Sequence, residues 1–239
     1  MNAVRAFLFD KDGTLVDFDR TWGPAAREVM RRLAAGDAAT LARLHEVSHF
    51  VPEEDRFRGT SPLVAGSSAQ YGPLWAQVLA RPSTPDFFAE VDSLFGEEGL
   101  RSLTAIGRPS ESLARLAGAG FPLGIATNDN EANARLQAEH LGILPLMAGI
   151  YGYDSGHGPK PQPGMVEAFA RQAGVPVETV ALVGDTHHDF ATARAAGALF
   201  VLVRSGPERI DAFADQADLV VDDVAELVDR LLGREAVPA

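Results

Sequence analysis

The sequence predicts an α/β protein, a doubly wound parallel-sheet core interrupted by an inserted α-helical domain. Three observations carry this expectation. From about residue 104 onward, short apolar runs alternate with stretches whose apolar residues recur three and four apart, the pattern of strands joined by crossover helices. One more apolar run, Val4–Phe9, stands near the amino end and reads as a further strand of the same sheet. Between the two, residues 17–103 offer helical patterns and no convincing strand. The core is thus expected at 1–16 and 104–239, and a helical cap domain at 17–103.

Each element has a local reason. In the inserted stretch the helical candidates are Pro24–Ala35, Ala38–His49, Pro73–Ala80 and Asp86–Leu94, with a loop at Gly59–Ser68. Ser110–Ala119 reads as a helix with Pro109 in its first turn and glycines at its end. Phe121–Ala126 reads as a buried strand and Asn130–Leu141 as a helix stopped at Gly142. Gly164–Ala173 is a helix stopped at Gly174. Thr179–Val183 is a strand, His188–Ala196 a helix stopped at Gly197, and Ala198–Val203 a strand. Asp218–Val221 and Val224–Leu232 close the pattern as strand and helix. Strand–helix–strand units of this length cross over right-handedly and leave a parallel sheet covered on both faces.

Composition narrows the function. The chain has 239 residues and a formal net charge of −12, which disfavours a phosphate backbone or an anionic membrane as partner. It contains no cysteine, so disulfides, thiolate nucleophiles and Cys-based metal sites are excluded, and a reducing cytoplasm suits it. Apolar runs are strand-sized, far short of a membrane span, and Met1–Arg5 lacks the pattern of a signal peptide. Lysine occurs only at Lys11 and Lys160 against 19 arginines, and both lysines fall inside the motifs below.

Four segments concentrate chemistry. Phe9-Asp10-Lys11-Asp12-Gly13-Thr14 ends an apolar strand on two carboxylates, at the sheet edge where ligands of open α/β folds bind. Ile125-Ala126-Thr127-Asn128 ends another strand on a hydroxyl and an amide just before a helix, whose free N–H groups suit a phosphate. Lys160 sits between prolines in Gly158–Pro163, a stiffly held point charge for a phosphoryl group. Val183-Gly184-Asp185-Thr186-His187-His188-Asp189 again ends a strand on a carboxylate, with a second one in the first helical turn, oxygen ligands that suit magnesium. Plainer accounts exist for each: an acidic turn, helix caps at Thr127, Asn128 or Asp185, a helix-dipole charge at Asp189 and a solvated surface lysine. The four occurring together, in this order, is the informative fact.

Taken together these segments resemble the haloacid dehalogenase superfamily over essentially the whole chain. The segments Gly107–Asn128 and Gly184–Gly197 resemble its phosphoglycolate-phosphatase-like branch, which carries a helical cap. The resemblance implies an Mg²⁺-dependent phosphatase that hydrolyses a small-metabolite phosphomonoester, phosphoglycolate-like or a sugar phosphate, through an aspartyl-phosphate. It implies Asp10 as nucleophile, Asp12 as general acid and then base, and Thr127, Asn128 and Lys160 as phosphate-binding residues. It implies a metal held by Asp10, Asp12 through its main-chain carbonyl, Asp185 and Asp189. Asp12 also separates phosphatase from dehalogenase chemistry, because an alkoxide leaving group needs a proton and a halide does not.

Lys11 departs from that pattern, since the position between the aspartates is more often apolar in cap-bearing relatives. Strand alternation is expected to send it away from Asp10 and Asp12, to pair with an acid; pointing inward, it would instead be placed to bind substrate. Specificity is expected in the cap, where Arg20, Arg27, Arg31, Arg32, Arg43, Arg56 and Arg58 outnumber six acids by one, with one or two arginines facing the cleft toward an anionic or polar leaving group. The partner is expected to be a small phosphorylated metabolite, with no nucleic acid or membrane, for a monomer or homodimer in the cytoplasm. A sugar phosphomutase of the β-phosphoglucomutase type and a non-catalytic phospho-acceptor are the competing readings.

Overall fold

The computed structural model describes residues 4–64, 66–206 and 214–233. The expected core segments at 1–3, 207–213 and 234–239, and position 65 of the expected loop, lie outside the described residues.

A six-stranded sheet organises the core. Its strands are β1 (Ala6–Phe9), β4 (Leu123–Ala126), β5 (Met147–Tyr151), β6 (Val180–Gly184), β7 (Leu199–Val203) and β8 (Leu219–Val221), in the order β5-β4-β1-β6-β7-β8. Every pairing is parallel. All four residues of β1 are buried, as a central strand covered on both faces requires. Phe7 and Phe9 pack with Leu113 and Leu116 of α5 (Pro109–Gly118), Ala134 of α6 (Glu131–His140) and Leu227 of α9 (Val224–Leu232). Ala6 and Leu8 face the other way, toward Phe169 of α7 (Gly164–Ala173) and Ala193 of α8 (His187–Ala196). The sheet is doubly wound. Its chain order reverses at β1, and the carboxyl ends of β1, β4 and β6 enclose the crevice created there.

Between β1 and α5 runs a mainly helical stretch with an apolar cluster of its own. It contains α1 (Phe18–Ala34), α2 (Ala38–Val47), α3 (Ser68–Val78) and α4 (Pro85–Arg101), packed around Met30, Leu44, Trp75, Val91 and Phe95. The stretch also holds a short antiparallel pair, β2 (Phe50–Val51) with β3 (Arg56–Phe57), which the sequence pattern does not announce because two-residue strands carry no periodicity.

The three largest differences from the expected helix limits share one reason, that a proline or glycine reads as punctuation in the sequence. α1 starts at Phe18, where Asp17 caps it by accepting from the Arg20 N–H at 3.0 Å, and Pro24 lies inside the helix. α3 starts at Ser68 with Pro73 inside. α4 runs past Leu94 to Arg101 through Gly96 and Gly99. Those glycines are close-approach positions: a Cβ would lie 2.3 Å from Asn133 Oδ1 at Gly96 and 2.6 Å from the Trp22 ring at Gly99. They let α4 lie directly against α6 and α1, so the inserted helices are seated on the mouth of the crevice.

Candidate active site

The strand ends bring the four segments together. Asp10 follows β1 immediately, Thr127 follows β4 and Asp185 follows β6, all at most 4% exposed. Lys160, from the segment before α7, is also 4% exposed, so it is not a surface lysine. Its ammonium donates to Asp10 Oδ1 and to Asp189 Oδ1, each at 2.6 Å. Asn128 fixes the backbone of that lysine, accepting from the Lys160 N–H at 2.8 Å and donating to its carbonyl at 3.1 Å. The capping roles fall on neighbouring residues instead. Asn130 caps α6, and Thr186 caps α8 in a capping box with Asp189. Thr127 Oγ1 instead accepts from the Asp129 N–H at 3.1 Å, in the turn before α6.

Asp10, Asp185 and Asp189 form a buried carboxylate cluster whose ligand oxygens all lie within 4.8 Å of one another. Thr14 Oγ1 donates to Asp185 Oδ1 at 3.3 Å, and Ser205 Oγ ties its loop to the Gly13 carbonyl at 2.7 Å. Burial and the like charge of Asp189 push the Asp10 carboxyl up to about 7, against the pull of Lys160. Burial opposes the Lys160 ammonium, but Asp10 and Asp189 outweigh it and hold that group above the usual lysine range. Three carboxyl groups gathered around one ammonium leave acidic groups in excess, in a buried, all-oxygen donor set. Those residues fit a hard divalent cation. Gly13, at φ +85°, closes against this cluster; a Cβ there would sit 2.3 Å from Asp185 Oδ2. Gly13→Ala is expected to cost about 1–3 kcal/mol in denaturant melts from the left-handed backbone alone, and to lower turnover by displacing Asp185.

The Asp12 carboxylate lies outside that cluster. Its Oδ1 accepts from the Trp22 indole N–H at 2.6 Å and from Lys11 Nζ at 2.9 Å, and Lys11 approaches Oδ2 at 2.7 Å. This corrects the expectation for Lys11. The lysine does pair with acids, but these are Asp12 itself and Asp129, at 3.2 Å. Regular strand geometry ends at Phe9, so alternation no longer dictates direction two residues later. Gln137 accepts a third contact at 2.7 Å, and the ammonium stands 4.8 Å from the centre of the Trp22 ring. Burial works against this charge, and Asp12 and Asp129 together overcome it and raise the Lys11 pKa.

A cavity opens above these groups. On the core side Asp10, Asp12, Thr127, Asn128, Lys160, Thr186 and His188 line it. On the far side are Phe18, Trp22, Phe57, Tyr71 and Phe95, together with Ser68 and Asp92, and Tyr153 from the loop after β5. Tyr153 donates to Asp92 Oδ2 at 2.7 Å and lies 3.0 Å from Ser68 Oγ. Burial raises the Asp92 pKa, partly offset by the Tyr153 hydroxyl. None of the seven arginines between Arg20 and Arg58 is among the lining residues, contrary to expectation. Arg27 pairs with Asp55, Arg31 with Glu28, Arg32 with Glu97 and Glu98, and Arg56 with Glu54. Sequence reasoning missed Asp92, Asp129 and Tyr153. Tyr153 follows the strand it did not find, and Asp129 stands two residues past Thr127, where a third strand-end polar residue was the available signal.

A family model described as haloacid dehalogenase-like hydrolase matches residues 4–197. The chain belongs to that family. This hydrolase is 31% identical over 229 residues to a phosphoglycolate phosphatase of Rhodospirillum rubrum, a match covering 95% of this chain and 90% of that one. A phosphoglycolate phosphatase of Neisseria meningitidis is 32% identical over 216 residues, 85% of this chain and 81% of the relative. Among solved structures, a predicted phosphoglycolate phosphatase from Haemophilus somnus superposes with a TM-score of 0.72 at 20% identity, covering 97% and 99% of the two chains, which is a likeness of fold. The hydrolase is thus an enzyme of the phosphatase kind, in the phosphoglycolate-phosphatase-like branch. Among its described residues no helix is long and apolar enough to cross a membrane.

Proposed function

We propose that this hydrolase removes the phosphoryl group of a small phosphomonoester through an aspartyl-phosphate on Asp10, with residues 17–103 acting as the cap over the reacting groups. Phosphoglycolate, named for its relatives, and sugar phosphates are the first candidates. The observation that carries the reading is the Lys160 ammonium bridging Asp10 and Asp189 at the switch point of the sheet, with Asp185 completing the cluster.

Asp10 attacks phosphorus and the ester oxygen leaves. Lys160 and Thr127 hold the transferring oxygens and offset their charge, and Asn128 keeps Lys160 in register by clamping its backbone. Asp12 gives a proton to the departing oxygen and then takes one from the water that hydrolyses the acyl phosphate. Asp12 enters the cycle protonated, and Trp22 and Lys11 hold its carboxylate form between the two transfers. Asp10, Asp185 and Asp189 would hold Mg²⁺, with the Asp12 main-chain carbonyl as the fourth protein donor implied by the family pattern. Bound there, the cation screens the negative charge of nucleophile and phosphate. Asp189 already spends Oδ1 on Lys160 and Oδ2 on Thr186, which suits an outer position for it.

The test is phosphate release from p-nitrophenyl phosphate in Mg²⁺ and in chelator. Chelation is expected to lower the rate by at least ~100-fold, and Mg²⁺ at 100 times its Kd should stabilise the fold by about 2.7 kcal/mol in thermal melts. Absence of turnover with Mg²⁺ across a broad panel of phosphorylated metabolites would favour a non-catalytic phospho-acceptor.

A further inference from the structure

We infer that the leaving group this enzyme accepts is uncharged, carries hydroxyls and presents a flat apolar face, as in a sugar or nucleoside phosphate, and that Asp92 and Tyr153 select it over a carboxylate-bearing ester such as 2-phosphoglycolate. This rests on the phosphatase reading above and narrows its substrate class.

The argument is an inventory of donors and acceptors. Away from the phosphoryl site, the described polar side chains lining the cavity are Ser68, Tyr71, Asp92, Asp129 and Tyr153, with the Trp22 indole N–H. The Tyr153 proton is committed to Asp92, and the Ser68 hydroxyl is engaged with Tyr153. The Trp22 N–H is committed to Asp12. With the Tyr153 oxygen accepting from Ser68, what remains open is acceptor capacity on the Asp92 carboxylate, beside the Tyr71 hydroxyl. Substrate hydroxyls can donate to such a surface; a carboxylate cannot, and it would meet Asp92 and Asp129 as like charges. Among the described lining residues Lys160 is the lysine, arginine is absent, and the one imidazole, His188, comes from α8 on the core side. The Lys160 charge is taken up by Asp10 and Asp189, and that of Lys11 by Asp12 and Asp129. No lysine or arginine among these residues is left for a glycolate carboxylate. The remaining wall is apolar and largely aromatic: beside Leu63 and Val64, the rings of Phe18, Trp22, Phe57, Tyr71 and Phe95 offer faces and edges to a sugar face or a base.

The experiment measures kcat/KM of the full-length enzyme with Mg²⁺ for glucose 6-phosphate, adenosine 5′-monophosphate, 2-phosphoglycolate and p-nitrophenyl phosphate. At least one of the first two is expected to exceed 2-phosphoglycolate by tenfold or more, and which one it is separates sugar from nucleoside. If 2-phosphoglycolate is turned over as well as both or better, or if neither hydroxylated ester is turned over while the aryl phosphate is, the inference is wrong and the phosphatase reading stands. If the aryl phosphate and all three metabolites are inert, the inference falls and the broad panel of phosphorylated metabolites decides the phosphatase reading. Asp92→Asn and, separately, Tyr153→Phe are expected to reduce kcat/KM for the preferred hydroxylated ester by about tenfold more than for the aryl phosphate. Equal losses on the two substrates would mark both residues as structural and overturn their assignment.

Discussion

Asp10→Asn is expected to lower phosphate release by roughly 10⁴-fold or more, the scale seen when a covalent nucleophile is removed. The same substitution should leave the metal-free fold as stable as the parent, or more so, above neutral pH. The sign follows from the raised carboxyl at position 10. Its pKa in the folded chain is about 7 against 3.8 as the ordinary value. Between those limits the unfolded chain holds fewer protons than the folded one, so stability falls as pH rises, and the whole cost is present above about pH 7. Asparagine is neutral at every pH and escapes it, while Lys160 keeps Asp189 as a partner. Loss of turnover together with an unchanged or higher melting temperature separates chemistry from folding. Near-parental turnover in the variant would remove the nucleophile assignment.

Lys160→Met is expected to damage both properties. It strands Asp10 and Asp189, each at most 4% exposed, without their shared ammonium. Removing one member of a buried, hydrogen-bonded ion pair typically costs about 3–5 kcal/mol, because the surviving charge stays desolvated. Turnover should fall by roughly 10²–10³-fold, comparable to removing one preorganised donor from a transition state. Urea melts in chelator and in Mg²⁺ provide the finer check. If the lysine and a divalent cation neutralise the same carboxylates, the loss of stability is larger in chelator. A variant within about 1 kcal/mol of the parent in chelator would contradict the buried ion-pair account.

What the sequence disclosed and what it withheld follow from range. Strand ends on Asp10, Thr127 and Asp185 are local facts, written as apolar runs stopping at polar residues, and the sheet places them side by side as read. Lys160 was legible because a lysine this rare between prolines invites a reason. β5 was not, because it is an edge strand of mixed burial with a glycine in its middle, and Tyr153 was lost with it. The Lys11 partners were not legible either. Its contacts to Asp129 and Gln137 span more than a hundred residues, and no period in the sequence encodes them. The arginines of the inserted helices misled for the opposite reason: their partners are acids nearby on the same surface, and charge counting cannot tell a paired guanidinium from one aimed at a ligand.

The Trp22–Asp12 contact has an optical consequence. The chain contains two tryptophans. Trp75 is fully buried among the inserted helices with its N–H on Ser48, so its emission should be a constant, blue-shifted background. Trp22 instead borders the cavity, with a carboxylate on its nitrogen and an ammonium near its ring. Its fluorescence is therefore expected to follow changes of charge around Asp12, which makes stopped-flow emission of the unlabelled chain a test of the proton-transfer role proposed for that residue.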